Sequence, residues 1–62
     1  MTTDEAIALI PPGWRLRLTN WQDQASSGWA AELFYADGRS VIEEADAPAE
    51  AVRLAAAEAA RL

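Results

Sequence analysis

Apolar residues recur along the chain in two different periods, and the changes of period mark out five elements. Ala6, Ile7, Leu9 and Ile10 cluster at helical spacing. Thr2 and Glu5 ahead of them have the spacing of a capping box, and Asp4 with Glu5 suits the positive end of a helix dipole. Pro11-Pro12-Gly13 then ends the helix, because proline cannot continue the backbone ladder. A helix of about two turns is unstable alone, so this segment must dock on something larger.

From Trp14 to Trp21 the period changes to two. Trp14, Leu16 and Leu18 alternate with Arg15, Arg17 and Thr19, the pattern of a half-buried strand. The polar run Gln22–Gly28 predicts a loop, and Trp29 to Ala36 a second strand. Asp37-Gly38 predicts a two-residue type I′ hairpin, and Ser40 to Ala45 the strand that returns from it. With Asp37 and Gly38 as the central pair, Ala36 faces Arg39, Tyr35 faces Ser40, Phe34 faces Val41, Leu33 faces Ile42 and Glu32 faces Glu43. Opposed residues share a sheet face. The expected core face is therefore Trp29, Ala31, Leu33, Tyr35 and Ile42. The expected outer face holds Glu32, Phe34, Val41 and Glu43, joined by Arg15, Arg17, Thr19 and Trp21 from the first strand.

Pro48 opens the last helix, with Glu50 near its positive end. At 100° per residue, Ala49, Ala51, Val52, Ala55, Ala56, Ala59 and Leu62 form one apolar arc. Glu50, Arg53, Glu58 and Arg61 fall opposite, and Leu54 is an apolar exception among them. An alanine face lets a helix approach a sheet closely, so the bulk must come from the sheet, where Trp14 and Trp29 can supply it. The expected fold is α+β in the order α-β-β-β-α: a single domain over residues 1–62, with a three-stranded antiparallel sheet carrying both helices on one face.

Composition narrows what such a domain does. The 62 residues are 52% hydrophobic, too many for a disordered chain, but so short a domain is marginally stable. Cysteine and histidine are both absent, which removes disulfides and the usual zinc ligand sets. It also removes Ser-His and Cys-His nucleophilic catalysis. No phosphate-binding or dinucleotide glycine motif is present, so the sequence implies no enzyme activity and no cofactor. No apolar run approaches the roughly 20 residues that span a bilayer, and the N-terminus lacks the basic start of a signal peptide. No membrane association and a cytoplasmic location are the expectations.

The net charge is −5, and all five basic residues are arginine. Direct nucleic-acid binding is disfavoured, since it relies on clustered basic groups that displace counterions. An acidic chain instead suits a basic partner. Glu43, Glu44 and Asp46 form a short acidic run without the ligand spacing of a calcium loop, which reads as a solvated strand end. Trp21, Phe34 and Val41 would place apolar groups on the charged outer face, and an aromatic cluster rimmed by charge is the usual composition of an interface. The candidate partner-binding residues are accordingly Trp21, Glu32, Phe34, Val41, Glu43, Glu44, Asp46 and Leu54.

Gly28-Trp29-Ala30-Ala31-Glu32, then Gly38-Arg39-Ser40, then Pro48-Ala49-Glu50-Ala51 resembles the HicB-like antitoxin module, in which a Trp- or Tyr-led strand, a turn, a further strand and a helix follow in this order. Ala47 stands where that family has a capping Thr, and the resemblance covers residues 28–51. In size, acidity and lack of catalytic groups the chain also resembles small phage-encoded anti-CRISPR proteins. That second resemblance implies an inhibitor whose carboxylates Glu32, Glu43, Glu44 and Asp46 occlude a basic nucleic-acid-binding surface of a target protein. The first implies a homodimeric module that pairs through a strand edge or through Trp21, Phe34 and Val41.

Overall fold

A computed structural model describes residues 1–62 as α1 (Thr3–Ile7), β1 (Arg15–Gln22), β2 (Ser27–Phe34), β3 (Ser40–Ala45) and α2 (Pro48–Ala60). The expected α-β-β-β-α order holds, and the strands form one antiparallel sheet in the order β1-β2-β3. α2 packs across β2 and β3, and α1 packs beside α2 with Ala6 in the shared core. Both helices thus lie on one face of the sheet.

The capping box of α1 is formed. Thr2 Oγ1 accepts from the Glu5 N–H at 3.1 Å, and Glu5 Oε1 accepts from the Thr2 N–H at 2.8 Å. The helix is shorter than its apolar pattern suggests and buries little of it. Ala6 is fully buried and Ile10 half-buried, while Ile7 and Leu9 point to solvent. α2 follows the predicted arc: Ala51, Val52, Ala55, Ala56 and Ala59 are buried. Leu62 lies past the helix end and is exposed. Leu54, expected on the polar side, is half-buried.

Two connections differ from the sequence reading. The polar run after Trp21 is not a long loop, because β1 continues to Gln22 and β2 begins at Ser27. The Asp23 carboxylate makes the tight reversal feasible. Its Oδ1 accepts from the Ala25 and Ser26 N–H groups, both at 2.8 Å, while the Asp23 N–H donates to the Ser26 carbonyl. An Asx turn of this kind needs no residue at positive φ.

The second difference moves a whole strand. The β2–β3 turn is not the two-residue type I′ form. Tyr35 faces Arg39 across three loop residues: the Tyr35 N–H donates to the Arg39 carbonyl and the Gly38 N–H to the Tyr35 carbonyl. A type I′ turn would hold Asp37 at positive φ, which costs energy for a residue with a Cβ. The longer loop needs positive φ at Gly38 alone, and Gly38 has φ +97°. Asp37 then uses its carboxylate on the Arg39 N–H and Nε.

The register shifts by one residue as a result. Leu33 faces Val41, Glu32 faces Ile42 and Ala31 faces Glu43. A one-residue slip turns every side chain of a strand over. Val41, expected outside, joins the core, and Ile42, expected inside, is 56% exposed. Glu32 and Glu43 are not opposed but lie on opposite faces. The core is small and alanine-rich. Its only large, fully buried side chains are Leu33 and Val52, flanked by half-buried Trp14, Leu16, Leu18, Trp29 and Val41.

Candidate functional site: the outer face of the sheet

The face away from the helices is covered by no other element of the chain. β1 presents Arg15, Arg17, Thr19 and Trp21 there, and the ladder sets them opposite Phe34, Glu32, Ala30 and Gly28 of β2. β3 adds Ile42 beside Glu32 and Glu44 beside Ala30. The alternation of each strand aims these residues outward, and the register of the two turns decides which of them meet.

At the centre, Arg17 bridges two neighbours. Its Nη1 lies 4.0 Å from Glu32 Oε1, and its guanidinium sits 5.4 Å from the centre of the Phe34 ring. Phe34 is half-buried and Ile42 exposed, so an apolar strip flanks one ion pair. Trp21 closes the far end. Its indole lies over Gly28, where a Cβ would come within 2.8 Å of Trp21 Cζ2. The Trp21 Nε1 is buried in this packing and has no hydrogen-bond partner.

Most of the arginines are paired within the chain, on β1, in the β2–β3 turn and on α2. Arg17, Arg39, Arg53 and Arg61 each pair with an acid: Glu32, Asp37, Glu50 and Glu58. Arg15 has no such partner. Asp23, Glu44 and Asp46 lie toward the end of the sheet where β1 turns into β2 and β3 leaves for α2, while Arg15 and Arg39 lie toward the other end. Hydrogen bonds depress several carboxyl pKa values. The Ala25 and Ser26 N–H groups lower that of Asp23, the Arg39 N–H lowers that of Asp37, and the Arg53 side chain lowers that of Glu50.

Of the residues expected to form a binding surface, Trp21, Glu32, Phe34 and Glu44 share this face. Val41 does not: it packs into the core, and Ile42 takes its place outside. Glu43 projects to the helix side of the sheet. Asp46 lies in the bend before α2, and Leu54 is on α2, away from the outer face. The four carboxylates expected to act together are therefore dispersed, and Glu32 is already engaged by Arg17. Ile42 escaped the sequence reading because its outward direction depends on a loop one residue longer than Asp37-Gly38 suggests.

A second cluster, also unforeseen, closes the helix side at the β2–β3 turn. Trp14 and Tyr35 pack as a tilted pair, with ring centres 5.2 Å apart and planes inclined by 54°, and the Arg39 guanidinium lies 4.6 Å from the Tyr35 ring centre. The alternation placed Trp14 and Tyr35 on the core face, but Arg39 joins them only in the shifted register. Trp14 and Tyr35 are half-buried and Arg39 is exposed, and Tyr35 also borders the surface depression beside Gly13, Arg15 and Phe34.

No group of three or more carboxylates converges as a metal site. The two surface depressions, one bounded by Gly13, Arg15 and Phe34 and the other by Leu9, Arg53 and Ala56, are open rather than enclosed. No helix is long and apolar enough to cross a membrane. Comparison of the chain with protein-family models, with curated proteins and with solved structures found no match to any of them.

Proposed function

We propose that this chain is a small non-catalytic protein-binding domain whose contact surface is the outer face of its sheet. The observation that carries the reading is that both helices lie on the other face, so half-buried Phe34 and exposed Ile42 point outward around the Arg17–Glu32 pair with no element packed over them. An apolar centre with an arginine and a charged rim is the usual anatomy of a protein interface. The face itself is balanced in charge, with Arg15 and Arg17 against Glu32 and Glu44. The acidic end at Asp23, Glu44 and Asp46, with the net charge of −5, favours a partner that is basic beside its apolar contact. An inhibitor that covers part of a basic nucleic-acid-binding protein is the form of this function that the charge supports.

The test uses a partner captured from host lysate and then purified. Phe34→Glu and Ile42→Glu each place a charge on the strip without entering the core. Both variants should keep the far-UV spectrum and melting temperature of the parent and lose at least about tenfold in affinity. Undiminished binding by both variants, with loss on Ala57→Glu on the exposed side of α2, would move the contact to the helical face and sink the proposal.

A further inference from the structure

The sheet has two free edges, and they differ in length, charge and cover. The ladder shows which backbone groups each edge leaves unpaired. The Asp23 N–H points at Ser26 in the turn to β2, so by alternation Trp21, Thr19, Arg17 and Arg15 also bond inward. Leu16, Leu18, Asn20 and Gln22 therefore direct their backbone N–H and C=O groups away from the sheet. β1 pairs without interruption over eight residues, and contains neither a bulge nor a proline to blunt this edge. β3 is shorter and holds Glu43 and Glu44 with Asp46 just beyond. Two copies of that edge would repel each other.

β1 is self-complementary instead. Its arginines lie in the first half of the strand and Asp23 follows the second half, so an antiparallel copy sets opposite charges together. It is also the less covered strand: α2 lies over β2 and β3, and Leu16 and Leu18 remain half-buried where Leu33 is fully buried.

We propose that β1 pairs antiparallel with β1 of a second copy about a two-fold axis through Thr19, joining two sheets into one of six strands. In this register Leu16 bonds the partner's Gln22 and Leu18 the partner's Asn20, so every outward backbone group of the strand is used. An axis through Leu18 would leave Gln22 opposite the partner's Trp14, which lies outside the strand. Arg15, the one arginine without an ion pair, meets the partner's Asp23. The Asp23 Oδ2 is available for it, because the turn uses Oδ1 alone. Opposed residues share a face, so all four helices lie on one side and the two outer faces become continuous. The pairing does not depend on what the outer face binds.

The chain has no cysteine, so a single introduced thiol reports the geometry. Thr19 would face its own copy at a non-hydrogen-bonded position, with Cα atoms about 4.5 Å apart, within disulfide reach. Sedimentation of the unmodified protein should show a mass rising with concentration toward twice 6.7 kDa. Thr19→Cys should form a reducible disulfide dimer with an unchanged far-UV spectrum, and Ile42→Cys on the opposite edge should not. Arg15→Glu should weaken the dimer by about tenfold. A monomer at every concentration overturns the proposal, as does a disulfide dimer of the Ile42→Cys variant with none from Thr19→Cys. A dimer abolished by Phe34→Glu yet insensitive to Arg15→Glu would show pairing through faces rather than edges, and would overturn it too.

Discussion

Trp21 and Gly28 face each other across β1 and β2, and each limits what the other can be. A Cβ at position 28 would lie 2.8 Å from Trp21 Cζ2 and 3.1 Å from the Ala45 carbonyl oxygen. The backbone oxygen cannot yield as a side chain can. Gly28→Ala should therefore destabilise the fold by about 1–3 kcal/mol and shift the Trp21 fluorescence as the ring is displaced. Trp21 itself carries a cost, since its Nε1 is buried without an acceptor. An unsatisfied buried donor is worth about 1–3 kcal/mol. Trp21→Phe removes that donor while keeping an aromatic ring over Gly28. Urea unfolding should find this variant as stable as the parent or more so, and a loss above about 2 kcal/mol would mean that the indole contributes more by packing than its donor costs.

Close approach is what α2 contributes as an element. Ala51, Ala55 and Ala59 are almost completely buried, so the helix lies on the sheet with small side chains and leaves Leu33 and Val52 to fill the middle. Adding apolar bulk there should harm the protein. Ala55→Leu is expected to destabilise by about 1–3 kcal/mol despite its greater hydrophobicity, because it would lift the helix from β2. Leu33→Ala should cost about 2–5 kcal/mol, enough to unfold much of so small a domain. Equal stability of the Ala55→Leu variant, measured by thermal unfolding, would refute the close-packed account of this layer. α1 depends on its cap instead, having only Ala6 fully buried.

Acidity acts on the molecule as a whole. Glu5, Asp23, Asp37 and Glu50 all have pKa values below the ordinary range, through the Thr2 N–H, the Ala25 and Ser26 N–H groups, the Arg39 N–H and the Arg53 side chain respectively. These bonds are lost on unfolding, so the unfolded chain takes up protons first as the pH falls. Stability is then fully present above the ordinary carboxyl range, about pH 4, and declines as pH drops through the lowered folded values. A melting temperature flat through neutrality and falling only in that acid window is expected. A decline that began near pH 6 would point to groups other than these four.

Much of the fold was legible in the chain because it depends on local chemistry. The capping box of Thr2 and Glu5, the stop at Pro11-Pro12-Gly13, the alternation of Trp14, Leu16 and Leu18 and the alanine arc of α2 each act within a few residues. They determine that two helices and three strands form, in that order. The tertiary structure decided the register of β3, and with it the membership of the outer face. Asp37-Gly38 is compatible with a two-residue or a three-residue loop, and choosing between them requires the strain at Asp37 and the packing of Val41 beneath α2 to be satisfied together. A difference of one residue then turned Val41 inward and Ile42 outward and separated Glu32 from Glu43, because side chains alternate along a strand with period two.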